Sequence, residues 1–185
     1  GFQQVAEAFL VRAGLPFAEI LAAERIERVF ARYDGLFGAQ GVYSTAITVW
    51  SFLSQVLRDG KEASCQAAVA RVVCHCELAE LEAPTQDTGD YCRARAKLSV
   101  AALRALSGEV ADELEQAADP RWLWKDKHHA KLIDGFTFTM PDTPANQAQY
   151  PQQKAQKPGV GLPIVRAVVM KLPSSPIRRF GMSCK

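Results

Sequence analysis

A chain of 185 residues, 48% of them hydrophobic, can bury one or two compact cores, which excludes a disordered chain and makes a globular fold the expectation. It has no run of about 18 apolar residues, and its opening GFQQVAEAFLVRAG has neither a basic leader nor a small-residue cleavage site, so the reading is a cytoplasmic protein with no membrane contact. The net charge of +2 hides an asymmetry: residues 1–120 hold 11 Lys and Arg against 17 Asp and Glu, a net of −6, whereas residues 121–185 hold 11 against 3, a net of +8. That excess makes the second segment the candidate for phosphate contacts, with a solvated basic tail as the plainer account.

Residues 1–120 read as successive helices. Pro16 pre-sets a helix start, and Phe17, Ile20, Leu21, Val29, Phe30 and Tyr33 recur at spacings of three and four until DGLFG, which predicts a single amphipathic helix. A second helix starts at Ser44 or Thr45 as N-cap, buries Ile47, Trp50, Leu53, Val56 and Leu57, and stops at Asp59-Gly60. Ser64 caps a third helix that ends before Pro84. TGDYCRARAKL begins a short helix, a break is expected near Leu98 and Ser99, and a further helix runs to Pro120. A helical bundle is the simplest way to bury these stripes.

After Arg121 the pattern changes. AKLIDGFTFTM (130–140) and GLPIVRAVVM (161–170) are strand-like, and between them PDTPANQAQYPQQKAQKPGVG (141–161) is too rich in Pro, Gln and Gly to bury a core and reads as a long loop. Asp134-Gly135 is ambiguous. Flanked by strand-like runs, Asp-Gly is the standard signal of a two-residue hairpin turn, but the same aspartate is also a candidate metal ligand.

Other chemistry-bearing residues have plainer readings. Cys65, Cys74, Cys76, Cys92 and Cys184 are odd in number and read as reduced thiols. Cys74-His75-Cys76 places its ligand types at i and i+2, on different faces of a helix, so no zinc is expected. His128-His129 could serve as ligands or as a base near Asp134, but in KDKHHAK they fit a wet basic loop. Trp122 and Trp124 lie on one side of an extended segment, suited to packing against a neighbouring domain or to stacking on unpaired bases.

Three separated blocks carry a resemblance. LIDGFTFTMPDTPANQAQYPQ…QKPGVGLPIVRAVV resembles the segment around the first catalytic aspartate of insertion-sequence DDE transposases, in the branch whose last carboxylate lies in a Y-R-E-K signature. Upstream, TVWSFLSQVLRDGKEASCQAAVARV and TGDYCRARAKL resemble the helical N-terminal region of that branch, so the likeness spans most of residues 2–169 in the right order. It implies a DNA transposase whose two aspartates and one glutamate sit on a ribonuclease H-like sheet. They hold two divalent metals, Mg²⁺ or Mn²⁺, about 3.5 to 4 Å apart, for phosphodiester cleavage and strand transfer.

On this resemblance Asp134 is the first catalytic and metal-binding carboxylate, held on a central strand. Lys131, Lys154, Lys157 and Arg166 are DNA-phosphate candidates, chosen by charge and not by motif. The partners implied are the DNA ends of an element and a second copy of the chain or an intact transposase, in a nucleoid-associated setting.

The chain also departs from the pattern. Phe136 and Phe138 stand where relatives carry Thr, Val or Ser, and after Val169 the likeness gives way to MKLPSSPIRRFGMSCK, with no second aspartate motif and no Y-R-E-K. The reading is a mainly α chain: a helical domain over 1–120, then over 121–185 the start of an incomplete ribonuclease H-like α/β domain, truncated or frameshifted and inactive alone. The start at Gly1 instead of Met fits a trimmed or partial product. A non-catalytic DNA-binding or regulatory transposase remnant and a helical protein-interaction module stand as alternatives.

Overall fold

The structure is a computed structural model that describes the whole chain except positions 1, 118, 120, 122, 126, 130, 131, 158, 172–177 and 183–185. The chain is mainly helical and divides into two compact units, 1–106 and 107–185.

The first unit contains α1 (Phe2–Leu10), a 3-10 turn (Pro16–Glu19), α2 (Ala23–Ala31), α3 (Thr45–Val56), a second 3-10 turn (Gly60–Ala63), α4 (Cys65–Leu78) and α5 (Gly89–Ala96). A further helix, α6 (Val100–Gln116), starts in this unit, and the division between the units falls inside it. Caps fall where short polar side chains can accept from exposed backbone N–H groups. Ser44 Oγ accepts from the Ile47 N–H at 3.3 Å, Ser64 Oγ from the Ala67 N–H at 3.1 Å, and Ser99 Oγ from the Ala102 N–H at 3.3 Å.

The single helix expected from Pro16 to DGLFG is instead broken. The 3-10 turn ends at Glu19 and Ala22 is extended (φ −56°, ψ 141°) before α2 begins. At the break, the buried Trp50 Nε1–H, 29 residues away in the chain, donates to the Leu21 carbonyl at 2.8 Å. That bond fixes the Leu21 carbonyl against α3 at the point where the chain turns extended.

The buried face of α3 also differs from the expectation. Val56 and Leu57 are more than half exposed, while Thr45, Thr48, Ser51, Ser54 and Gln55 are buried beside Ala46, Val49 and Trp50. α3 touches α2, α4, α5 and both 3-10 turns, so neighbours cover most of its circumference and small polar residues let them approach. Thr48 Oγ1 donates back to the Ser44 carbonyl at 2.7 Å, and Thr45 Oγ1 donates to the Phe37 carbonyl at 3.1 Å while accepting from its N–H at 3.0 Å. The core around this helix is completed by Ile26, Val29, Phe30, Ala68, Val69, Val72, Cys76 and Tyr91.

One buried amide joins three of these elements. Gln55 Oε1 accepts from Tyr91 Oη–H at 2.6 Å and from Arg95 Nη1 at 2.9 Å, and Gln55 Nε2 donates to the Ala63 carbonyl at 2.9 Å. Arg95 also lies 5.6 Å from the Tyr91 ring centroid, a cation–π contact.

The second unit holds β1 (Leu123–Trp124), β2 (His128–His129), β3 (Leu132–Thr139), α7 (Pro144–Gln149), β4 (Ile164–Lys171) and β5 (Arg178–Met182). β1 and β2 form a small antiparallel hairpin, and β3, β4 and β5 an antiparallel sheet in that order. Two strands were expected in this segment, and the divergent tail supplies an additional one: β5 pairs Ala167 with Met182 through to Lys171 with Arg178. Asp134 and Gly135 are not a turn, because β3 runs unbroken through them, with Asp134 opposite Val169 and Gly135 opposite Val168.

The 141–161 connection is not structureless either. Thr143 caps α7 by accepting from the Asn146 N–H at 3.1 Å. Gln152 Nε2 donates to the carbonyls of Gln156 and Lys157 at 3.1 and 2.7 Å, and Gln152 Oε1 accepts from the N–H groups of Gly159 and Gly161 at 3.1 and 3.2 Å. A Cβ on Gly161 would lie 2.9 Å from Gln152 Cβ, so only glycine fits this close approach.

Two tyrosines provide a test of this packing. Tyr91→Phe removes the donor to Gln55 and should lower unfolding free energy by about 1–2 kcal/mol in urea melts. Tyr43 has a buried hydroxyl with no partner among the described residues, and burial, aided by Asp90, pushes its pKa up to about 12. Tyr43→Phe should therefore stay within about 0.5 kcal/mol of the parent.

His75 generates a pH dependence. It is half-buried, with its ring 5.9 Å from that of Trp50, and burial lowers its pKa below the ordinary 6.5. The native state therefore resists a proton that the unfolded chain accepts near 6.5. This contribution is complete above that pH and is lost as pH falls toward the lowered folded value. His75→Phe should shrink the drop in melting midpoint between about pH 7.5 and 5.5 relative to the parent protein.

Candidate carboxylate and nucleic-acid interface

Asp134 is an exposed carboxylate on β3, with its backbone paired to β4. Side chains alternate across a strand and directly opposed residues share a face, which puts Asp134 on the face of Phe136, Phe138, Val165 and Ala167. Val165 and Ala167 are buried on that face, and the Phe136 and Phe138 ring centroids are 6.0 Å apart. β4 is the central strand; β3 is an edge of this sheet among the described residues, which corrects the expectation of a central position for Asp134.

The four expected phosphate contacts are not gathered around this carboxylate. Arg166 is exposed, but it opposes Thr137 and so lies on the other face of the sheet from Asp134. Lys154 and Lys157 are exposed on the β3–β4 connection, whose backbone is held by Gln152. Lys131 lies outside the described residues. Near Lys154, Asp142, Gln147, Gln152, Gln153 and Gln156 line a cleft of about 530 Å³. Asp142 is engaged there: Gln147 Nε2 donates to its Oδ1 at 2.8 Å, and it immediately precedes the Thr143 cap of α7.

The β1–β2 hairpin carries no clear signal in its sequence. Its connection passes through Lys125 at φ +52°, which brings Trp124 opposite His128 with ring centroids 5.9 Å apart. The Trp124 indole is 62% exposed, and Lys125 Nζ sits 4.7 Å from its centroid. Trp122, its expected companion, lies outside the described residues.

Among the four described cysteines, all free thiols, Cys76 is buried in the core, where burial pushes its thiol pKa up, and Cys74 and His75 are half-buried beside it in the chain. Cys184 lies outside the described residues. Among the described residues, no three His, Cys, Asp or Glu side chains converge in a way that could hold a metal ion, and no helix is long and apolar enough to cross a membrane.

A cleft of about 920 Å³ in the first unit is lined by Arg12, Arg58 and Arg71. Each has an internal partner: Arg12 with Glu19, Arg58 with the carbonyls of Ser54 and Leu10, and Arg71 with the Glu62 carboxylate and carbonyl at 3.1 and 2.9 Å, while Arg71 Nε is buried with no partner among the described residues.

No family model matches this chain, and no curated protein or solved structure matches it at a significant level.

Arg166 on one sheet face and Lys154 and Lys157 on a surface connection are dispersed, an arrangement that suits sequence-independent attraction to a polyanion better than a single phosphate pocket. Replacing Lys131, Lys154, Lys157 and Arg166 together by Gln should flatten the salt dependence of duplex DNA binding by up to about four in log–log slope. Fluorescence anisotropy across a salt series measures this, with circular dichroism to confirm that the fold is retained. An unchanged slope would place the contacts elsewhere.

Proposed function

We propose that this chain is the N-terminal part of an insertion-sequence DDE transposase of the Y-R-E-K branch, with Asp134 as the first carboxylate of its ribonuclease H-like catalytic domain. The observation that carries the reading is the position of Asp134 inside an eight-residue paired strand. A turn aspartate would need no further explanation, whereas a carboxylate projecting from a regular strand has the rigid backbone that a metal ligand requires. The three blocks of likeness, in the right order along the chain, and the net charge of +8 over residues 121–185 support the same reading.

The residues around Asp134 do not by themselves make the two-metal centre that the reading implies. Its neighbours on the sheet face whose side chains are described, Phe136, Phe138, Val165 and Ala167, cannot ligate a cation. The chain therefore contributes one ligand and not the centre. Its basic second unit would hold the phosphate backbone, and Arg166, on the opposite sheet face, would meet a different phosphate from the one at Asp134. The lone carboxylate also favours a second reading: a non-catalytic DNA-binding partner of an intact transposase, with the same charge distribution and no chemistry of its own.

A fusion experiment separates the two. The unfused chain should neither nick nor join DNA with Mg²⁺ present. With the catalytic remainder of an intact relative fused after Val169, cleavage at element ends should appear, and Asp134→Asn should return it to background by removing the ligand charge at constant shape. Asp142→Asn should keep most of the activity, because Asp142 is occupied by Gln147 at the start of α7. Cleavage that survives Asp134→Asn but not Asp142→Asn would refute the assignment, and a fusion that binds DNA but never cleaves would favour the non-catalytic reading.

A further inference from the structure

The first unit holds a pair of thiols that the proposed transposase reading does not use. Cys65 is the first residue of α4 and Cys92 lies in α5; they are 27 positions apart in the chain, yet their sulfurs are 3.7 Å apart. Both are partly accessible, at the edge of the cluster formed by Ala68, Val69 and Tyr91. Cys65 Sγ also accepts from Gln55 Nε2 at 3.6 Å and lies 3.7 Å from Arg95 Nη1. We propose that Cys65 and Cys92 are a redox-modification site, a dithiol that peroxides convert to a disulfide joining α4 to α5.

The two sulfurs are chemically unequal, which assigns their roles. Burial acts to raise the Cys65 thiol pKa, but hydrogen bonds from Cys92 and Gln55 and the charge of Arg95 outweigh it and hold the thiol below its ordinary value. Cys92 is shifted upward, first by burial and then by its neighbour Cys65. Cys65 is therefore the attacking sulfur and Cys92 the resolving one. The Cys65 thiolate attacks one peroxide oxygen, the O–O bond breaks, and hydroxide leaves to give a sulfenic acid. Cys92 then attacks that sulfur, the S–O bond breaks, and the departing hydroxide takes the Cys92 proton as water. In total, two thiols and one hydrogen peroxide give one disulfide and two waters. A covalent S–S distance of about 2.05 Å requires the sulfurs to close by less than about 2 Å, which is within the reach of side-chain rotation.

The test uses the full chain, one equivalent of hydrogen peroxide and peptide mass mapping without reduction. The expected product is a Cys65–Cys92 linked peptide pair two hydrogens lighter than the separate peptides, reversed by dithiothreitol, with a melting midpoint several degrees above that of the reduced protein. Cys92→Ser should leave a Cys65 sulfenic acid that dimedone traps, whereas Cys65→Ser should leave Cys92 unreacted. At neutral pH iodoacetamide should label Cys65 at least about tenfold faster than Cys74, and Arg95→Gln should reduce that advantage. Linkage through Cys74 or Cys76 instead, or no linkage in a folded protein at excess peroxide, would overturn the proposal. Equal labelling of Cys65 and Cys74 would overturn the assigned order of attack.

Discussion

The helical unit depends on a single buried amide. Gln55 projects from α3 into a region where water cannot satisfy it, so each of its polar atoms must find a protein partner. It finds them on three different elements: Tyr91 and Arg95 on α5, the Ala63 carbonyl at the end of the second 3-10 turn, and Cys65 at the start of α4. The apolar contacts nearby involve Ala68 and Val69, small side chains that could slide past one another at little cost. Directional hydrogen bonds do not tolerate such sliding, and leaving one buried partner unsatisfied costs about 1–3 kcal/mol. Gln55 therefore sets the register that the hydrophobic contacts leave loose, and it sets the spacing of Cys65 and Cys92.

The second unit solves a similar problem with similar chemistry. Its β3–β4 connection is too poor in apolar residues to bury a core, yet the backbone there is ordered because Gln152 satisfies four main-chain groups and Gln147 bridges Asp142 to the Gly161 carbonyl. Glutamine is suited to this role because one planar amide both donates and accepts, so it can replace the partners that a missing strand would supply. The consequence is positional, since Lys154 and Lys157 stand on a connection whose path is set by side-chain hydrogen bonds.

On the proposed reading, the sheet combines two requirements of a phosphoryl-transfer site. Regular pairing holds Asp134 on a backbone with little freedom, and the outer edge of β3, unpaired among the described residues, offers main-chain donors and acceptors to which a further strand could add. Charge is partitioned accordingly, with the acidic excess in the helical segment and the basic excess over the segment that carries the carboxylate. On the same reading, three acidic residues among eleven Lys and Arg suit a segment that attracts DNA and contributes one ligand.

Much of this was legible in the chain itself, and the boundary of legibility is physical. Ser44 and Ser64 announced their helices because a cap acts on an N–H three residues away, and the runs at 132–139 and 164–171 announced strands through β-branched and aromatic residues alone. Such signals act over a few residues and need no partner. The break at Ala22 was hidden because the contact found beside it comes from an indole 29 positions distant, and the polar face of α3 was hidden because hydrophobic periodicity assumes that one side of a helix meets water. The pairing of β5 rests on the edge that β4 offers it, and the approach of Cys65 to Cys92 on how α4 and α5 meet over Gln55. Asp134-Gly135 shows the division most sharply. The dipeptide alone favours a turn, and only the pairing of eight consecutive residues with β4 turns it into a strand, because a ladder of backbone hydrogen bonds outweighs a local preference of two residues.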